Sequence, residues 1–257
     1  MLLCKNFVIT RIIGNNVPKR DIIPRTKIFN FILKNEIKTD KIWILNRIYN
    51  KNYLNYLKEI FKNYPLFEIE FNFEDFKKIK SERDQLHYIT NINNARNYSF
   101  KIAKNLGYKN IAIFDGDCMI NEENFYKFLK IYKKEKKMHY GMCAKRFYIQ
   151  EIKKIEEKEK EEEEISLIFN HNSNFTFNEN ISYREGSKIE LLYKLGYKHG
   201  KFVNQLENEN LCKNIGFLYH LNTGNEKLEK SSFERNQNWN NYKKNMIKEV
   251  YDYFNKL

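Results

Sequence analysis

Four cysteines, Cys4, Cys118, Cys143 and Cys212, show neither a CxxC pair nor the spacing of a zinc site, so four unpaired thiols in a reducing compartment are expected. No stretch approaches the roughly 18 consecutive apolar residues of a membrane-crossing helix. The N-terminus, MLLCKNFVIT, lacks the core of a signal peptide. A soluble or peripheral intracellular protein is therefore expected, cytoplasmic or held at the inner face of the plasma membrane. Equally absent is any RNA-binding signature in which aromatics and glycines interleave with basic residues, and the lysines are spread rather than clustered. No nucleic-acid partner is expected.

At 257 residues the chain is long enough for one α/β domain with a full core and an appendage. Lys and Arg number 46 against 33 Asp and Glu, a net charge of +13. That charge points to an anionic partner: a nucleotide, a nucleic acid or the cytoplasmic membrane surface. A genome-wide bias towards Lys, Asn and Ile gives the same number, and composition does not separate the two.

The central stretch is Asn93 to Ile120, NNARNYSFKIAKNLGYKNIAIFDGDCMI. Ala95, Tyr98, Ser99, Ile102, Ala103 and Leu106 recur on one face of a 3.6-residue period, which predicts a helix capped by Asn93 or Asn94 and stopped by Gly107. Ile111, Ala112, Ile113 and Phe114 are apolar without alternation, the mark of a strand covered on both faces. Asp115-Gly116-Asp117 follows directly. Two carboxylates on a tight turn beyond a parallel strand's carboxyl end can present oxygens to Mg2+ or Mn2+ together with a nucleotide's phosphates.

Ala95-Arg96-Asn97, the helix, the apolar strand and the Asp-Gly-Asp together resemble the central block of GT-A-fold glycosyltransferases, most of all family two. Family two enzymes often carry a third Asp where this chain has Cys118. The resemblance implies Mn2+ or Mg2+ at Asp115 and Asp117, with His220, which closes the apolar run 216–219, as a third ligand. It also places Arg96 near the donor phosphates, pairing with them or bracing Asp115. Thr10, Arg11 and Asn15, in and after the first strand, are implied under the nucleoside, and Asn46 joins them at the end of a second strand. Phe177-Asn178-Glu179 and Tyr183-Arg184-Glu185 resemble the acceptor segment, which implies Glu185 as the base that deprotonates the acceptor hydroxyl, with His171 and Glu179 as alternatives. The Gln-x-x-Arg-Trp motif of processive synthases is missing.

Elsewhere the chain predicts strands at 7–10, 42–45 and, half-exposed and near an edge, 67–73, alternating with helices at 25–34 and 53–64. A helix at 122–137, a strand near 141–144, an apolar run at 166–169 and a short helix at 187–195 follow. Between them, Glu151 to Glu164 holds eight glutamates and four lysines in fourteen residues and reads as a solvated helix or loop that interrupts the core. From Trp239 an amphipathic helix either packs on the domain or lays its basic side on anionic lipid.

The expected fold is α/β and GT-A-like: a mostly parallel, Rossmann-like sheet flanked by helices, with a helical tail. Residues 1–225 would form the glycosyltransferase domain, split into a nucleotide-sugar half at 1–120 and an acceptor half at 121–225, with the tail at 226–257. The expected function is metal-dependent, inverting transfer of a sugar from a nucleoside-diphosphate donor to a hydroxyl of a bacterial-type surface glycan, free or lipid-linked. Two rivals remain: a nucleotidyl- or phosphoryl-transferring enzyme of surface polysaccharide synthesis, and a non-catalytic nucleic-acid-binding protein.

Overall fold

The computed structural model describes residues 5–15, 22–148, 162–182, 185–186, 188–197, 211–222 and 245–256. Strand β1 (Lys5–Ile13) lies at the centre of a parallel block. It pairs on one side with β2 (Asp40–Asn46) and on the other with β4 (Tyr108–Asp115), while β3 (Leu66–Ile69) extends the block beyond β2. Antiparallel β7 (Glu162–Asn170) joins β4 to β6 (His139–Tyr148). β8 (Cys212–Asn222) runs parallel to β6, and the two-residue β5 (Cys118–Met119) pairs with it. Among the described residues the order is β3-β2-β1-β4-β7-β6-β8-β5.

Alternation along each strand sends successive side chains to opposite faces. Val8, Ile12, Ile42, Ile44, Ile111 and Ile113 pack with Ala95 and Ala103 of α5 (Ile92–Asn105) and with Leu191 and Leu192 of α7 (Ile189–Lys194). On the other face Trp43 and Leu45 meet α1 (Ile22–Asn35) and α2 (Lys51–Ile60), and Ala112 and Phe114 meet Phe128 of α6 (Glu122–Lys134). The βαβ cadence, the two-sided burial of 111–114 and the edge position of β3 agree with the sequence.

Several expectations are corrected. β3 ends at Ile69, because Asn72 accepts from the backbone N–H groups of Glu74 and Asp75 (2.9 and 3.1 Å) and starts α3 (Phe73–Lys78), which α4 (Glu82–Thr90) follows. The aromatic alternation continued past the strand for a different reason: Phe71 and Phe73 stack on Phe254. α5 is capped by Asn91, not Asn93 or Asn94, through a 3.0 Å bond from the Asn94 N–H. Gly107, at φ 87°, does stop it. The last three residues of the acidic run, Glu162 to Glu164, belong to β7, which pairs with β6, and residues 149–161 lie outside the described residues.

The helix at residues 245–254 packs on the domain. Met246 and Val250 are buried against Phe76 and Ile89, and Gln85 Nε2 donates to the Tyr251 hydroxyl at 2.9 Å. Residues 223–244, where the tail was expected to begin, lie outside the described residues.

At the amino end of β6, His139 is fully buried between the edges of Phe169 and Phe175, its ring nitrogens 2.7 Å from Ser173 Oγ and 3.2 Å from the Leu211 carbonyl. Burial pushes its pKa below the ordinary histidine value, against a smaller upward pull from the Leu211 carbonyl. The unfolded chain therefore takes up this proton first, so the stabilisation is complete above the ordinary histidine value and is lost as pH falls through the depressed one. Melting curves between neutral and mildly acid pH should show stability falling by at most about 1.4 kcal/mol per pH unit from this group, and that share of the slope should vanish in His139→Gln.

Candidate active site

The turn from β4 to β5 is held from behind. A Cβ on Gly116 would lie 2.5 Å from Ile13 Cδ1 and 3.1 Å from the Ile12 carbonyl oxygen, so a larger residue would have to displace the Ile13 side chain and crowd the β1 backbone. Beneath it Arg11, fully buried between the rings of Trp43 and Phe114, donates to the Cys118 carbonyl from Nε (3.1 Å) and Nη2 (3.0 Å). The same guanidinium pairs with Glu36, just past the end of α1, and Glu36 Oε1 accepts from the Ile120 N–H at 3.1 Å. One buried ion pair thus fixes the backbone on both sides of Met119.

β8 completes the turn. The Leu221 N–H donates to the Asp117 carbonyl at 2.9 Å, Cys118 is in register with His220, and His220 Nε2 lies 3.3 Å from Asp117 Oδ2. Asp115 faces the other way. Its Oδ1 accepts from Arg96 Nη2 at 3.0 Å and its Oδ2 from Lys188 Nζ at 2.9 Å. Burial would raise its pKa, but the Lys188 ammonium and the Arg96 guanidinium override that and hold the carboxyl well below the usual carboxylate range. Burial, together with the charges of Asp117 and Asp115, pushes the Cys118 thiol well up, so it stays protonated.

The asparagines of α5 stitch this end of the sheet to the segment after β7. Asn93 donates to the Asn178 carbonyl (2.7 Å) and receives Arg96 Nη1 (2.9 Å). Asn97 exchanges bonds with the Phe177 backbone, and Glu179 accepts from Asn94 and Asn97, one on each oxygen at 2.8 Å. Glu179 is therefore a brace. Glu185 is exposed and sits 3.4 Å from Arg83 of α4. His171 follows β7 where it pairs with the amino end of β4, so it stands about 15 Å or more from Asp115 along the strand.

The positions expected under a nucleoside each have partners within the protein. Thr10 is buried and donates to the Ala112 carbonyl at 3.2 Å, and Arg11 serves the turn as described. Asn15 donates to the Arg47 carbonyl (2.7 Å) and receives the Tyr49 N–H (3.1 Å), while Asn46 donates to the Asn91 carbonyl (3.3 Å). Tyr183, Arg184 and Ser187 lie outside the described residues.

Two residues escaped the sequence reading. Lys188 carries no pattern of its own. Glu36 left a trace, as an acid at the carboxyl end of a helix, where the dipole disfavours it, immediately before Ile37.

For a divalent cation, the residues present fit in part. Among the described residues no group of three His, Cys, Asp or Glu is arranged around one point. Both Asp115 oxygens face cations, whereas Asp117 and His220 offer one carboxylate and one imidazole side by side, a set that suits an ion completed by phosphate oxygens.

No protein-family model and no curated protein sequence matches the chain. Among solved structures, GalNAc-T7 with UDP, GalNAc and Mn2+ superposes at a TM-score of 0.52 and 10% identity, over 85% of this chain and 44% of that one. The fold is that of the GT-A glycosyltransferases. S. aureus TarS 1-349 in complex with UDP-GlcNAc gives 0.49 at 10% identity, over 88% and 61%. A cytidylyltransferase from Leptospira borgpetersenii serovar Hardjo-bovis gives 0.40 at 10%, over 81% and 74%. The chain spans about 60% of the length of TarS 1-349.

Removing one partner of a buried ion pair typically costs about 3–5 kcal/mol. Glu36→Gln should lower stability by that order in urea unfolding, since it strands the Arg11 charge. A loss below about 1 kcal/mol would mean that water reaches the guanidinium.

Proposed function

We propose that this protein is a metal-dependent glycosyltransferase that moves a sugar from a nucleoside-diphosphate donor to a hydroxyl of a surface glycan. The observation that carries the reading is the meeting of Asp117 and His220, 103 positions apart in sequence, beyond the carboxyl end of β4, where α/β sheets bind ligands. The GT-A fold, with a neighbour that holds UDP and Mn2+, supports it.

Asp117 and His220 would hold Mn2+ or Mg2+, which when bound neutralises charge on the departing diphosphate. Arg96 and Lys188 keep Asp115 ionised and oriented without recourse to the ion. Lys188 also ties the acceptor segment to the donor end of the sheet. Glu185 is three residues from it, across Gly186 at φ 81°, so the chain allows Glu185 no more than about 10 Å from the backbone of that anchor. In this reading Glu185 takes the proton of the attacking hydroxyl, as an inverting displacement requires. Glu179 is spoken for by Asn94 and Asn97, and His171 lies at the far end of the sheet. Among the described residues no helix is long and apolar enough to cross a membrane. The glycan acceptor, free or lipid-linked, is part of the proposal.

In Asp117→Ala, Mn2+-dependent binding of nucleoside diphosphate should vanish while the melting temperature stays near the parent's. Calorimetric titration that finds equal affinity with and without Mn2+ in both proteins would remove Asp117 from the metal site. Glu185→Gln should cut transfer at least about a hundredfold with donor affinity held within a few-fold. Loss of donor affinity in step with transfer would move Glu185 into the donor pocket.

A further inference from the structure

Arg47 follows β2 directly, at φ 47°, and among the described residues it is the one non-glycine with positive φ. A branched or long side chain there is disfavoured, and such a backbone persists only where its surroundings impose it. Here they do: the Arg47 N–H donates to the Ile69 carbonyl at 2.8 Å, and Asn15 holds the Arg47 carbonyl at 2.7 Å. A glycine or asparagine would meet the same backbone need at less cost, so the requirement is for the side chain.

That side chain is a half-buried guanidinium held by neutral groups. It donates to Asn46 Oδ1 (3.3 Å) and Asn94 Oδ1 (3.0 Å) and lies 5.0 Å from the centroid of the Tyr88 ring. No carboxylate among the described residues lies within ion-pair distance of it. Glu179 acts on it only from further off and is committed to Asn94 and Asn97. The contrast with its neighbour is direct. Arg96 stands two residues from Asn94 on α5, about 3 Å along the helix, and its charge is matched by Asp115, which Lys188 shares. Arg96 and Lys188 thus each touch a carboxylate, whereas the guanidinium of Arg47 touches none among the described residues.

We propose that Arg47 is a donor-binding residue whose guanidinium takes a phosphate oxygen of the nucleoside diphosphate. The inference rests on the glycosyltransferase reading and adds to it a residue with no part in the metal site. Asn46, Asn94 and Tyr88 orient the fork in advance, and the phosphate supplies the missing negative charge. Asn15, Asn46 and Asn94 then act through Arg47 as positioning residues.

The test is calorimetric titration, in saturating Mn2+, of UDP, GDP, CDP and ADP, and of the nucleoside belonging to the tightest binder, measured by competition. The variants are Arg47→Gly, which suits the positive φ and so keeps the fold, and Arg47→Lys, which keeps the charge without the fork. Arg47→Gly should melt near the parent temperature and lose at least tenfold in diphosphate affinity, with nucleoside affinity within twofold, and Arg47→Lys should fall between. Unchanged diphosphate affinity in Arg47→Gly, or an equal loss for diphosphate and nucleoside, overturns the proposal and leaves the glycosyltransferase reading standing. A parent protein that binds none of the four diphosphates overturns both.

Discussion

The ion pair between Arg11 and Glu36 is the constraint on which the candidate site depends. A buried charge pair is seldom a source of net stability, because desolvation of both ions offsets most of their attraction. Its effect here is geometric. Arg11 reaches from the central strand to the Cys118 carbonyl, Glu36 reaches from the end of α1 to the Ile120 N–H, and the backbone between them cannot drift. Because that backbone is β5, the pairing with β8 and hence the place of His220 beside Asp117 follow from it.

Above the sheet, α5 does the corresponding work with neutral groups. Its asparagines donate to a segment eighty or more residues later in the chain, where Glu179 accepts two of the bonds, and Arg96 and Lys188 meet on Asp115. Such a network is costly to leave half made, most of all at Asn93, whose amide is fully buried. It therefore holds one arrangement of α5 against the segment after β7. The two carboxylates of the Asp-Gly-Asp turn end up in different company: Asp115 between two cations, Asp117 beside an imidazole. Spacing within the tripeptide does not distinguish them.

How much could be read in advance depended on how local the cause was. The strand at 111–114 and the faces of α5 and α6 were legible because burial imposes its period on neighbouring residues. The end of β3 was misplaced because Phe71 and Phe73 keep the alternation of a strand while packing against a helix near residue 250. Arg11 was read as a nucleoside contact by resemblance, as the first residue after a strand at 7–10, whereas β1 runs on to Ile13 and buries it. Its partner, Glu36, lies 25 positions away, and nothing between them marks the pair.

By itself the sequence determined the α/β class, the order of strands and helices through β4, and the exposure of Asp-Gly-Asp beyond a covered strand, since hydrophobic period and turn residues act over a few positions. Tertiary structure alone decided which carboxylate meets His220, that Lys188 reaches Asp115, that Glu179 accepts from Asn94 and Asn97, and that Arg47 lies between Asn46 and Asn94 on a left-handed backbone. Each of these joins groups that come together only when the sheet has formed, and side-chain charge takes its meaning from whichever partner burial brings within reach.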